Sequence, residues 1–281
     1  MIAPVPLTIG PRTFVWGERT YLMGVINVSP DSFSGDGLAD AEAAVAQARR
    51  FIAEGADLLD VGGQSTRPGF DELSPEAEIA RVVPVIERIV AELDAPLSVD
   101  TYKAPVARAA LEAGAHMLND IWGFHCDRAL AELCVEFGVP AVVMHNQRGR
   151  SASGGRDVIG DIRAGLEESI AIAEGAGLPR ERLIIDPGFG FGWTPEQNLE
   201  QLRRLGELRD LGLPILVGTS RKSTIGEVLD GRPVEERLFG TAATVALAIA
   251  NGADIVRVHD VAEMRDVVRV ADAVVRGWVK P

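Results

Sequence analysis

The chain is poor in the side chains that most often announce a chemistry. It has two cysteines, Cys126 and Cys134, in a stretch that reads as one helix. Eight residues along a helix is ~12 Å at 1.5 Å per residue, too far for a disulfide. The four histidines, His116, His125, His145 and His259, are scattered without zinc spacing, and His116 reads as structural. There is no G-x-S-x-G elbow and no Walker A motif. No apolar run reaches transmembrane length, and the N-terminus lacks a basic flank ahead of an apolar stretch. A soluble cytoplasmic protein is therefore expected. Positive charge is scarce too: the net charge of -13 argues against a nucleic-acid backbone or an anionic membrane as the main partner. A local cluster of basic residues could still hold a small anion. Lysine is the scarcer of the two basic residues, for of 28 only Lys103, Lys222 and Lys280 are not arginine.

What the chain does have is rhythm. With 47% apolar residues in 281, it can bury one sizeable core. From Tyr21 onward, eight short apolar runs begin near positions 22, 58, 97, 117, 141, 183, 215 and 255, with helical patterns between them. Ala41 to Glu54 places Ala44, Val45, Ala48, Phe51 and Ile52 at helical spacing. Ser74-Pro75 and Thr194-Pro195-Glu196-Gln197 open two helices with a cap and a proline at the first position. Ala-rich stretches at 104–113, 129–137, 161–174, 235–250 and 262–276 read as further helices, and Gly55, Gly114, Gly138, Gly212 and Gly252 read as helix stops. Eight strand–helix alternations imply a parallel sheet with right-handed crossovers, and eight is the count that closes a barrel. The rival, an open doubly wound sheet, usually carries G-x-G-x-x-G after its first strand, and this chain lacks it. The expected fold is therefore a single α/β (β/α)8 TIM barrel over 21–281, preceded by a short β-hairpin over 1–20. The base of the barrel is one expected position for that hairpin.

Each apolar run ends in a polar residue that packing alone would not select, at the face where barrels place their chemistry. Asp100, Asn119 and Asp186 end the third, fourth and sixth runs. Carboxylates facing a dry pocket need donors, and a flat, nitrogen-rich ring with a guanidine-like edge supplies them in pairs. Residues of these types also cap helices and hold loops, but three at equivalent strand ends favour a ligand site. Gly218-Thr219-Ser220-Arg221-Lys222-Ser223 follows the seventh run and Arg257-Val258-His259 the eighth, where barrels commonly bind phosphate. With Arg67 they make a candidate anion site. Lys222 supplies a compact ammonium where Arg would bring a planar fork. Asn27 offers an amide oxygen that suits a hard cation such as Mg2+. Asp60 lies within its run and reads as structural. The long connections 27–39, 62–73 and 145–159 emerge at the same face and read as lids or substrate clamps.

Seven blocks of the sequence resemble, in order, those of the dihydropteroate synthase family, from about residue 20 to the C-terminus. They are Met23-Gly24-Val25-Ile26-Asn27-Val28-Ser29-Pro30-Asp31-Ser32-Phe33-Ser34, Asp60-Val61-Gly62-Gly63-Gln64-Ser65-Thr66-Arg67-Pro68-Gly69, Ser98-Val99-Asp100-Thr101, Asn119-Asp120-Ile121, Asp186-Pro187-Gly188-Phe189-Gly190-Phe191, the Gly218 to Ser223 loop, and Arg257-Val258-His259-Asp260. The resemblance implies that para-aminobenzoate displaces pyrophosphate from 6-hydroxymethyl-7,8-dihydropterin pyrophosphate in a homodimeric enzyme of folate biosynthesis. It implies that Asp100, Asn119, Asp186 and Lys222 hold the pterin, with Met144, Phe191 and Gly218 lining its slot. It assigns Asn27, Thr66, Arg67, Arg257 and His259 to pyrophosphate, with Asn27 on Mg2+, and Phe33, Pro68, Arg221, Lys222 and Ser223 to the aminobenzoate. The catalytic set would be Lys222, Asp100, Asp186, Arg257 and His259. Pyrophosphate departs with growing negative charge, which Mg2+, Arg and His+ favour, while the two carboxylates favour a cationic carbon. An SN1-like displacement is expected.

The chain departs from the family pattern at Ser34-Gly35-Asp36-Gly37, at Gln64 where Glu is usual, and at His145-Asn146-Gln147-Arg148. Two other readings stand beside this one: a pterin-dependent methyltransferase domain and a non-catalytic pterin-binding paralogue. The basic set after the last two runs argues against both.

Overall fold

Period-two alternation sorts the strand side chains between two surroundings. A computed structural model describes residues 4–28, 37–64, 72–149 and 157–278. Strands β1 (Leu7–Ile9) and β2 (Arg12–Phe14) form an antiparallel hairpin. Then come β3 (Tyr21–Asn27), β4 (Leu58–Gly62), β5 (Leu97–Asp100), β6 (Met117–Asp120), β7 (Ala141–Met144), β8 (Leu183–Asp186), β9 (Leu216–Val217) and β10 (Ile255–Val258). These eight are parallel neighbours in the order β8-β7-β6-β5-β4-β3-β10-β9. A parallel bridge between Ile185 and Ile215 joins the outermost two, so the barrel closes as expected.

Nine helices fill the crossovers of the described chain: α1 (Gly37–Glu54), α2 (Pro75–Glu92), α3 (Ala104–Glu112), α4 (Ala129–Phe137), α5 (Val158–Gly175), α6 (Pro195–Arg203), α7 (Ser223–Val228), α8 (Leu238–Ala250) and α9 (Val261–Arg276). Ser74 caps α2 by accepting from the Ala77 N–H. Thr194 and Gln197 form the full capping box on α6. Gly138 ends α4 in the left-handed region with φ 65°. One reading needs correction. Only Cys134 lies in α4; Cys126 precedes it in a turn, because Asp127 accepts the Ala129 N–H and starts the helix there. Both thiols are free.

Leu59, Val61, Val99, Leu118, Val143, Ile185, Val217 and Val256 face outward into the core shared with the helices. Their neighbours Met23, Leu58, Met117, Val142, Ile184, Leu216 and Ile255 face inward and join Leu7, Ile9, Phe14, Trp16 and Tyr21 in a second cluster. The hairpin therefore seals the base of the barrel. Phe14 and Trp16 pack on Tyr21 with ring centroids 4.7 and 5.6 Å away. Asp57 pins the corner by accepting from Arg19 and from the Leu22 N–H. His116, read as structural, accepts from the Leu97 N–H through Nδ1.

Candidate active site

Two residues beyond the apolar base layer, the same alternation turns polar groups inward: Asp60, Asn119, Asp186 and Arg257, with Met144 among them. Ser98 and Asp100 fill the same positions on β5. On β4, β6, β8 and β10 the lumen thus changes from hydrocarbon to polar groups within one inward step.

At its centre, Asp60 is completely buried. Its Oδ1 accepts from Ser98 Oγ at 2.5 Å. Its Oδ2 accepts from Asn119 Nδ2 at 3.0 Å and from Arg257 Nε at 2.6 Å. Arg257 Nη2 donates to Asp100 Oδ2 at 2.8 Å. Burial alone would lower the guanidinium's pKa, but Asp60 and Asp100 hold it above the ordinary value. Burial pushes the Asp100 carboxyl well above the carboxylate range, against the pull of Arg257.

Asp186 anchors the opposite side. Its Oδ1 accepts the Gly188 N–H at 2.7 Å. Burial raises its pKa, opposed by Lys222 and by that hydrogen bond. Lys222 is the counterpart: burial pulls its ammonium down to about 7, with Asp186 opposing and Arg257 and Arg148 assisting. Its Nζ donates to the Phe189 carbonyl and lies over the Phe191 ring, to which Arg148 also comes within 4.8 Å. The pocket thus sets carboxylates short of donors beside a lysine short of water, which suits a polar, nitrogen-rich ring.

The remaining candidates lie around this rim. Met144 is buried and Phe191 half-buried, on the two sides of the Asp186 turn. Gly218 follows β9, and a Cβ there would stand 3.7 Å from the Arg257 Cβ. Asn27 is exposed at the end of β3. Ser223, also exposed, is the first residue of α7. Arg221 adopts φ 60° and turns its guanidinium onto Asp260, with Nε 2.9 Å from Oδ2, so in this structure it is held on the β10–α9 corner. His259 follows β10, with its N–H donating to Ser220 Oγ and its Nδ1 3.0 Å from the same oxygen. Phe33, Thr66, Arg67 and Pro68 lie outside the described residues, as do Gly35 and Asp36.

Some of the site was not read from the sequence. Asp60 is structural in being buried, yet it holds two candidate ligands, a role its period-two spacing from the inward Leu58 points to. Asn198 accepts the Gly190 N–H at 2.6 Å and donates to Thr224, tying the turn after β8 to α7. Gln64 is part of a buried knot: its Oε1 accepts from Lys103 Nζ and from the Leu73 N–H, and Lys103 pairs with Glu78 at 2.8 Å. The scarce Lys103 therefore joins residues 64 and 73. In the segment that departs from the family, Asn146 donates to the Ile121 carbonyl and His145 Nε2 lies 2.9 Å from Gln147 Oε1.

The chain is similar to known proteins along nearly its whole length. The family described as pterin binding enzyme matches residues 23–259. A dihydropteroate synthase of Clostridium beijerinckii is 48% identical over 272 residues, covering 96% of this chain and 100% of that protein. The structure of dihydropteroate synthase from Clostridium difficile in the presence of pteroic acid superposes with a TM-score of 0.90 at 46% identity, covering 94% of this chain and 99% of that one. That of the Xanthomonas albilineans enzyme with 4-aminobenzoic acid gives 0.90 at 43% identity, covering 97% and 98%.

Proposed function

The chain belongs to the pterin-binding enzymes and, among them, to the dihydropteroate synthases of folate biosynthesis, and on that premise we propose how its residues divide the reaction. The substrates are 6-hydroxymethyl-7,8-dihydropterin pyrophosphate and para-aminobenzoate; the products are 7,8-dihydropteroate and pyrophosphate. Asp100, Asn119, Asp186 and Lys222 hold the pterin, with Met144, Phe191 and Gly218 around it. Arg257, His259, Asn27, Thr66 and Arg67 receive the pyrophosphate. Phe33, Pro68, Arg221, Lys222 and Ser223 border the aminobenzoate. The observation that carries this reading is the inward ring of Asp60, Asp100, Asn119, Asp186, Lys222 and Arg257 above an apolar base, where paired N–H donors of a pterin would relieve two undersolvated carboxylates.

The displacement is SN1-like. Asp100 and Asp186 favour positive charge on the pterin methylene carbon as its bond to oxygen lengthens. Arg257 and His259 favour the charge leaving on pyrophosphate. Lys222 stands between the two, and a neutral aniline attacks without a strong base. The exposed Asn27 at the mouth fits Mg2+, since a single hard amide oxygen suffices when phosphate and water supply the others. When bound, Mg2+ offsets leaving-group charge.

Steady-state pyrophosphate release should require both substrates and should be blocked by a sulfonamide. Pterin binding without turnover would overturn the enzymatic reading. With aminobenzoate withheld, a single equivalent of pyrophosphate should still be freed; none would overturn the dissociative step.

The protein works as a homodimer in the same reading, supported by an apolar face that Phe239 and Leu247 of α8 share with Val270 and Val274 of α9 and with Trp278. A cytoplasmic location belongs to the same reading, in keeping with a family of biosynthetic enzymes.

A further inference from the structure

Asp60 sits in β4, and its side chain reaches partners on three other strands. In the sheet order, β4 lies next to β5, but β6 and β10 each stand two strands away, on opposite sides. Ser98 of β5, Asn119 of β6 and Arg257 of β10 nevertheless donate to this one carboxylate. It spans the lumen where the pterin side meets the pyrophosphate side. It is fully buried, so no ligand in the mouth touches it.

We propose that Asp60 is a positioning residue that sets both sides at once: it orients the Asn119 amide for the pterin and fixes the Arg257 guanidinium for the leaving group. The inference rests on the division of the mouth given above. An amide can present either its oxygen or its NH2 group to a ligand. Because Nδ2 is committed to Asp60, Oδ1 is the end that remains for a ring N–H donor. An amide turned over would set donor against donor, at the cost of an unmade buried hydrogen bond. Arg257 spends Nε on Asp60 and Nη2 on Asp100. Among the described residues Nη1 has no hydrogen-bond partner and is the limb left for an anion. A carboxylate is suited to this centre because it only accepts, and its two oxygens can take three donors together.

The test uses the full chain, with 6-hydroxymethylpterin as one calorimetric probe and inorganic pyrophosphate with Mg2+ as the other. Asp60→Ala should weaken each probe about tenfold. Asp60→Asn should stay within about threefold, because its oxygen can still accept from Asn119 and Arg257 while its NH2 donates to Ser98 Oγ. In an Asn119→Ala background, Asp60→Ala should cost pterin binding less than about twofold more; in an Arg257→Ala background, the same holds for pyrophosphate. A generic loss of barrel stability would not vanish selectively in this way. The proposal is overturned if a folded Asp60→Ala binds both probes like the parent, or if its full cost persists in both backgrounds. Should Asp60→Ala not fold, the unmodified protein decides: the Arg257 Nε–H, labelled with 15N, should exchange with water far more slowly than exposed arginines, and equal exchange overturns the idea. If the parent binds neither probe, the pterin and pyrophosphate assignments fail, while the exchange result still judges Asp60.

Discussion

The ammonium of Lys222 stands 4.5 Å from the centroid of the Phe191 ring. The ring face, the Phe189 carbonyl and Asp186 favour the charge, yet burial prevails and brings the group to about 7. An incoming pyrophosphate adds negative charge and raises that value. At pH 8 the free enzyme holds Lys222 mostly neutral, so pyrophosphate binding should draw a proton onto it. Below about 7 the lysine is already charged, and this uptake disappears. Between those limits affinity should fall as pH rises. Calorimetry in two buffers of different ionisation heat, with Lys222→Met as the reference, measures the difference. Equal proton counts for the two proteins would refute it.

Asp186→Asn should separate stability from activity. The fold holds this carboxylate with its pKa raised by burial, so an amide removes a penalty while keeping an oxygen for the Gly188 N–H. The melting temperature should stay level or rise. The value of kcat/KM should drop about 100-fold or more, because a donor replaces the charged acceptor proposed to face the pterin. A variant that melts much lower while retaining its rate would contradict this.

Gly188 and Gly17 both have positive φ, 76° and 88°, and differ in their surroundings. A Cβ on Gly188 would lie 1.9 Å from the His145 carbonyl oxygen, whereas one on Gly17 meets nothing within 4 Å. Gly17→Ala should cost about 1 kcal/mol of backbone strain. Gly188→Ala should cost at least about 3 kcal/mol, because backbone must move. Thermal melts of the pair check the ratio, and matched melting temperatures would mean that the Asp186 turn yields easily.

Phe239 and Val274 are 84% and 81% exposed, more than a solvent-facing apolar side chain gains from. Carboxylates introduced at both positions should turn the proposed dimer into a monomer in sedimentation, because charges would be buried without partners. A parent that sediments as a monomer would refute the dimer outright.

Much of the barrel was legible because each layer of it follows a short period. Alternation predicts which residues face the lumen, and the polar strand ends mark Asp100, Asn119, Asp186 and Arg257 from the sequence alone. Helix α7 escaped, for six residues are too few to show a helical period. Helix α1 starts at Gly37, four residues before its apolar pattern does. Asp60 is buried, as a structural residue would be, but its contacts are not legible in the sequence for a different reason. Its partners are as many as 197 residues away in sequence, and only closure of the ring brings them to its carboxylate. Read within its own strand it looks inert. The pairing of Arg221 with Asp260 was equally illegible, because the two lie 39 residues apart and meet only where the loop after β9 reaches the end of β10.

The hairpin beneath the barrel makes the molecule a cup, and a cup imposes a queue. Asn119 and Asp186 lie buried toward the bottom of the polar layer, whereas Asn27 and Ser223 stand exposed at the lip. Whatever occupies the depth must arrive before whatever occupies the lip, and must leave after it. In the proposed division of the mouth, the aminobenzoate would close over a pterin already seated, and an empty cup would offer it only half a socket. A molecule that mimics the second guest alone gains its full grip only once the first is in place.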